Sequence, residues 1–216
     1  MAPNRLYLLF AHPAYHRSRI NRRLIEAVQD LPGVTFQDLY ESYPDFNVDV
    51  AAEQQALREH DVLIYHHPFY WYNAPALLKE WQDLVLEHGF AYGDGGDVLH
   101  GKQLLTVTTT GGGAGAYGPE GINRFPMREL LTPFEQTANF CGMTYLPPFV
   151  VHGVLQEDEA TFQDAAEQYR ACLEGLRDES LDLSGLKQGS YLTDALAPAP
   201  VDATRTALTG DGIDAR

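Results

Sequence analysis

Five successive strand-then-helix segments limit what this chain can fold into more than any other feature of it. Arg5 to Ala11 (RLYLLFA) is a near-continuous apolar run, as expected of a strand covered on both faces. Ser18 can cap a helix whose apolar positions, Ile20, Leu24, Ala27, Val28 and Leu31, recur at three- and four-residue spacing. Pro32-Gly33 ends it. Val34 to Leu39 alternates and reads as a strand with one wetter face. A loop over Tyr40 to Asp49 and a short polar helix over Val50 to His60 follow. Asp61 to His66 is another buried strand. The loop 67–73 joins it to a helix that has Pro75 in its first turn and buries Leu77, Leu78, Trp81, Leu84 and Val85. Gly93 to Asp97 reads as a flexible turn, and Lys102 to Thr110 as the fourth strand, running into Gly111-Gly112-Gly113-Ala114-Gly115. A helix over Met127 to Cys141, a fifth strand within Thr144 to His152 with a bend at Pro147-Pro148, and a helix over Glu157 to Leu176 complete the pattern.

Such alternation means a parallel sheet with helices on both faces. Five strands give an α/β three-layer sandwich of strand order 2-1-3-4-5. The 216 residues divide into one domain, 1–177, and a tail, 178–216, where periodicity decays. Ala197-Pro198-Ala199-Pro200 and the Thr/Asp/Gly/Ala stretch after it read as partly disordered. No stretch approaches the ~20 apolar residues of a membrane span. The first residues lack the apolar run of a signal peptide, so cytoplasm is the expected compartment. Cys141 and Cys172 lie in apolar-periodic segments and are expected as buried thiols. A net charge of -15 repels nucleic-acid phosphates and anionic lipid.

Ligands of open parallel sheets sit at the carboxyl ends of the strands, near the switch in strand order. Here that means the loops after strands one, three and four. The first, His12 to Asn21, leads into a helix N-terminus, where free N–H groups and the dipole attract an anion. Ser18 can add a hydroxyl, and His12, Arg17 and Arg19 add positive charge, so the loop suits a phosphate. No Gly-Lys-Ser/Thr makes it a P-loop. His12 and His16 lie four apart with no helix to pair them, so no metal is expected. The second loop carries four successive aromatics, Phe69, Tyr70, Trp71 and Tyr72, which call for a cover: a flat ring system or a second subunit. The third, Thr110-Gly111-Gly112-Gly113, lets backbone approach a planar ligand closely.

In order along the chain, His12-Pro13, the Ser18 to Asn21 turn, Phe69 to Tyr72 followed by Pro75 and Leu77-Leu78-Lys79-Glu80-Trp81, and Thr109-Thr110-Gly111-Gly112 resemble the flavodoxin-like NAD(P)H:quinone oxidoreductases. Tyr43-Pro44-Asp45-Phe46 and Asn123-Arg124-Phe125-Pro126-Met127 resemble their bacterial branch, the ancillary proteins of glutathione-gated potassium-efflux systems. The resemblance covers roughly residues 5–176. It implies FMN, with FAD the alternative, and NAD(P)H as donor to a quinone or similar electrophile. His12 and Ser18, Arg19, Ile20 and Asn21 would hold the flavin phosphate. Phe69, Tyr70, Trp71 and Tyr72 would wall the ring, and Thr110, Gly111, Gly112 and Gly113 would face its edge. Tyr117 falls where the family has a tyrosine near the flavin. The family's histidine six residues later is Asn123 here, and an amide cannot take up a proton. The resemblance also implies a homodimer. An alternative role is regulatory: activating a membrane potassium-efflux transporter from a peripheral position at the inner face of the cell membrane. A flavodoxin-type electron carrier and a non-flavin binding module are the remaining readings.

Overall fold

The computed structural model describes residues 2–155, 157–184 and 190–196. Strands β1 (Leu6–Phe10), β2 (Val34–Asp38), β3 (Val62–Pro68) and β4 (Gln103–Thr109) are joined, all parallel, in the order β2-β1-β3-β4. Two short strands, β5 (Thr144–Tyr145) and β6 (Phe149–Val151), both pair with β4, so the sequential order 2-1-3-4-5 holds. The expected fifth strand is thus two pieces, because Pro147 and Pro148 have no N–H to donate to the ladder. β1 and β3 are buried throughout, whereas β2 at the edge is half exposed.

Alternating side chains divide the sheet between two helical layers. On one face Leu8, Phe10, Ile64 and Val107 pack with α1 (Arg19–Val28) and α7 (Glu159–Arg177) through Leu24, Ile25, Val28, Phe162 and Tyr169. On the other, Leu9, Leu63, Tyr65 and Leu104 meet α3 (Val50–Glu59), α4 (Ala76–Val85) and α6 (Thr132–Phe140) through Leu57, Leu77, Trp81 and Phe134. Each fully buried side chain of this size contributes roughly 1.5–3 kcal/mol. Cys141 and Cys172 are both free and buried. The second face also holds a buried acid. Glu53 is 2% exposed and accepts hydrogen bonds from Tyr7 Oη (2.6 Å), Tyr43 Oη (2.6 Å), Trp81 Nε1 (2.8 Å) and Gln37 Nε2 (3.3 Å).

Several elements differ from expectation for local reasons. The 40–49 loop begins with a helical turn, α2 (Leu39–Ser42), because the Asp38 carboxylate accepts from the Tyr40 and Glu41 amides. β3 runs on through Pro68. The single helix expected over Met127 to Cys141 is two, α5 (Met127–Leu130) and α6, broken at Leu131 two residues before Pro133. Leu84 of α4 is 37% exposed rather than buried, at the margin of a stripe made by Leu77, Leu78, Trp81 and Val85. The Gly93 to Asp97 turn is exposed except at Gly96, where a Cβ would stand 2.1 Å from the Tyr92 carbonyl oxygen. Within the expected tail, α8 (Leu192–Leu196) buries Leu192 against β6 and α7, and the Leu192 amide donates to Pro148 O. Residues 197–216, including Ala197-Pro198-Ala199-Pro200, lie outside the described residues.

Candidate functional site

The parallel register sets the carboxyl ends of β1, β3 and β4 side by side, with Phe10 beside His66 and Pro68 beside Thr109. A cleft of about 620 Å³ opens there, lined by residues of all three following loops, and by Val154 and Leu155 after β6.

Its first end is the start of α1. Ser18 is the N-cap, and its Oγ accepts from the Asn21 amide (3.3 Å) and from Asn21 Nδ2 (2.9 Å). The amides of Arg19 and Ile20, in the first turn, have no intrahelical acceptor. Ile20 buries its side chain in the core, so it offers the cleft its backbone. His12 is 6% exposed, and its Nδ1 accepts from the Ala14 amide at 3.1 Å, which places the proton on Nε2. Burial pulls its pKa down to about 4. His12 is therefore a neutral donor, not the cation expected from sequence. The Arg19 guanidinium is also committed: it pairs with Glu159 (2.6 Å) and lies 5.0 Å from the Phe162 ring centroid. Arg17 is exposed and, among the described residues, has no ion-pair partner.

Asn21 is 1% exposed and ties this end to the sheet. Its Nδ2 also donates to Thr109 Oγ1 (3.1 Å), and its Oδ1 accepts from His66 Nε2 (3.0 Å).

The other end is built from the aromatic and glycine loops. The Phe69 amide donates to Thr109 O, anchoring the aromatic loop on β4. Tyr70 and Asn73 exchange two backbone hydrogen bonds of 2.9 Å around a two-residue turn, with Trp71 at φ 46° and Tyr72 at φ 65°. Left-handed backbone at two aromatic residues costs of order 1–3 kcal/mol each. Phe69 and Tyr70 line the cleft, whereas Trp71 is 93% exposed. Tyr72 Oη donates to Asn123 Oδ1 (3.1 Å), and Phe69 meets both Tyr72 and Tyr117 edge to face. Tyr117 and Asn123 therefore gather on the rim beside the aromatic loop. The Thr110 hydroxyl is held inside the glycine loop: it donates to Gly112 O (2.7 Å) and accepts from His152 Nδ1 (3.2 Å). Gly111 lines the cleft under Leu155. Gly112 has Ala116 and Tyr117 within 3.6 Å of where a Cβ would lie, and Gly113 has nothing within 4 Å.

Sequence reasoning missed His66, His152, Val154 and Leu155, and gave Thr109 only as part of a motif. His66-His67 is the one signal that was visible, two titratable residues ending an otherwise apolar strand. Among the described residues no helix is long and apolar enough to cross a membrane.

A family model described as flavodoxin-like fold matches residues 4–173. The glutathione-regulated potassium-efflux system ancillary protein KefG of Pectobacterium carotovorum subsp. carotovorum (strain PC1) is 49% identical over 166 residues, which are 76% of this chain and 91% of that protein. Among solved structures, general stress protein 14 of Treponema denticola, in complex with FMN, is 36% identical with a TM-score of 0.75, covering 80% of this chain and 99% of its own. An NADPH-quinone reductase of P. pentosaceus is 33% identical with a TM-score of 0.71, covering 78% and 96%. A structure named as a thermophilic tryptophan halogenase from Streptomycin violaceusniger is 40% identical with a TM-score of 0.76, covering 77% and 97%.

Proposed function

Because this chain belongs to the flavodoxin-like fold family, we propose that it is a flavin-dependent NAD(P)H:quinone oxidoreductase that holds FMN in the cleft at the ends of β1, β3 and β4. One observation carries the reading: a donor-rich helix N-terminus and an open glycine surface share a single cleft at the switch in strand order. The donors fit a phosphate. They are the first-turn amides of Arg19 and Ile20, the Ser18 and Thr109 hydroxyls beside Asn21, and the neutral Nε2–H of His12. The open face of Gly113 and the backbone of Thr110, Gly111 and Gly112 suit a flat ring approaching from the cleft. The FMN-bound relative and the quinone reductase support the cofactor and the reaction class. FAD is the alternative cofactor.

When bound, the flavin supplies the two-electron chemistry between NAD(P)H and the quinone. The protein's part is to bind and orient. Phe69 and Tyr70 wall one side and exclude water, with Trp71 and Tyr72 forming the rim. Tyr117 would offer its hydroxyl from the rim as a hydrogen-bond donor to a negatively charged ring edge. Asn123 orients Tyr72 through its Oδ1 and, as an amide, moves no proton. The exposed aromatic rim suits a homodimer seam, and cytoplasm is the proposed compartment.

The test is an absorption spectrum of the purified protein, followed by anaerobic NADPH and then a quinone. The reading expects a flavin band that bleaches with NADPH and returns with quinone. Bleaching without return would sink quinone reduction and leave a reductase with a different electron acceptor. Absence of flavin after incubation with FMN and FAD would sink the cofactor. A second reading, an ancillary subunit of a potassium-efflux transporter, rests on the Pectobacterium relative. Co-purification with a cation/proton antiporter encoded beside its gene decides that role.

A further inference from the structure

Ser18 and Thr109 face the cleft with hydroxyl groups whose proton direction the hydrogen-bond network sets from behind. Ser18 Oγ accepts two hydrogen bonds, from the amide and the Nδ2 of Asn21, so both lone pairs are used and its proton must go to an acceptor elsewhere. Thr109 Oγ1 accepts from the same Nδ2. Neither hydroxyl has an acceptor among the described residues. Everything here depends on which end of the Asn21 amide faces the hydroxyls. If the amide were reversed, its oxygen would draw both protons inward and the cleft would present lone pairs, which repel an anion.

His66 decides between the two. It is fully buried, between Phe10 and Tyr169, and does not line the cleft. Its Nε2 lies 3.0 Å from Asn21 Oδ1, and its Nδ1 has no partner. With the proton on Nε2, Nδ1 is a buried acceptor left alone. The reversed arrangement would leave a buried Nδ1–H with no acceptor, and orphaned buried N–H groups are the rarer and costlier case. Burial holds the imidazole neutral.

We propose that His66 is a positioning residue for the phosphate of a flavin mononucleotide: by donating from Nε2 to Asn21 it fixes the amide, which turns the Ser18 and Thr109 hydroxyl protons into the cleft. The proposal rests on the flavin reading above and adds the device that makes the site a donor site. Riboflavin, which has no phosphate, separates the two. In fluorescence titrations of the full-length protein, wild type binds FMN more tightly than riboflavin. His66→Leu weakens FMN roughly tenfold or more, as expected for losing aligned donors to a charged group, while riboflavin affinity stays within about twofold. His66→Gln carries its Nε2 the same number of bonds from Cα and restores most of the FMN preference. Equal wild-type affinities for FMN and riboflavin would overturn the phosphate reading, and this proposal with it. A wild-type preference that His66→Leu leaves intact would overturn the proposal alone. The ¹⁵N signals of His66 in the wild-type protein test it without any substitution: a protonated Nε2 and bare Nδ1 are expected, and a protonated Nδ1 would refute it.

Discussion

Replacing Glu53 with leucine tests how much of the domain's stability depends on a polar cluster buried in its core. The side chain is 2% exposed and, among the described residues, forms no ion pair; what offsets its burial is a ring of donors. Leucine fills similar space but leaves Tyr7 Oη, Tyr43 Oη and Trp81 Nε1 without their acceptor. Each orphaned buried donor costs about 1–3 kcal/mol. Allowing for relaxation and coupling within one network, the loss is about 3–6 kcal/mol, a large share of the roughly 5–15 kcal/mol that holds a domain together. The counter-effect is relief of burying a charge, which can make such replacements neutral when all partners are also made apolar. The triple variant Glu53→Leu, Tyr7→Phe, Tyr43→Phe should therefore recover most of the loss. Urea unfolding measures both. Trp81 touches the carboxylate, and the other tryptophan, Trp71, is exposed, so Trp71→Phe leaves one reporter inside the cluster. A single variant costing under about 1 kcal/mol, or a triple variant less stable than the single, would refute the orphaned-donor argument.

Four further outcomes are expected. Ser18→Ala removes the α1 cap and should cost about 1 kcal/mol of stability in urea unfolding, while also lowering the FMN-to-riboflavin affinity ratio. Gly112→Leu should abolish flavin retention, measured from the absorbance ratio of the purified protein, because Ala116 and Tyr117 already crowd that position, whereas Gly113→Ala should fold normally into open space. Replacing Trp71-Tyr72 with Asn-Gly should relieve the left-handed backbone and raise the melting temperature while weakening flavin binding; a fall in both would show that the turn is not strained. Burial holds His12 and His67 at about 4, below the ordinary histidine value of about 6.5. The unfolded chain then binds more protons between these values, so stability should be full above about pH 6.5 and fall steadily down to about pH 4 in acid titrations of urea midpoints. A flat profile across that window would contradict the buried neutral state of both rings.

Much of the fold was legible because it follows from local patterns. The apolar runs of β1, β3 and β4 announce a sheet covered on both faces, and the helical stripes between them force parallel crossovers. The Ser18 cap was legible for the same reason, since a cap is settled within four residues. Where local signals competed, reading failed. Pro133 split a helix whose periodicity ran through it, and Asp38 nucleated a turn in a stretch read as loop.

The candidate site divides along the same line. Composition was enough to single out the three loops, because a helix start beside a Ser, a run of exposed aromatics and a run of glycines are each unusual on their own. The pairing of His66 with Asn21 across 45 residues, of Asn21 with Thr109 across 88 and of Thr110 with His152 across 42 came only with the fold. So did the capture of the Arg19 guanidinium by Glu159 on α7, across 140 residues. The sequence by itself determined which segments become strands and helices, and which loops are chemically odd, because those properties are set by neighbours a few residues away. The tertiary structure decided which side chains face the cleft, which protons point into it and which charges are already neutralised, because those depend on distances that only the sheet register brings within 3 Å or so.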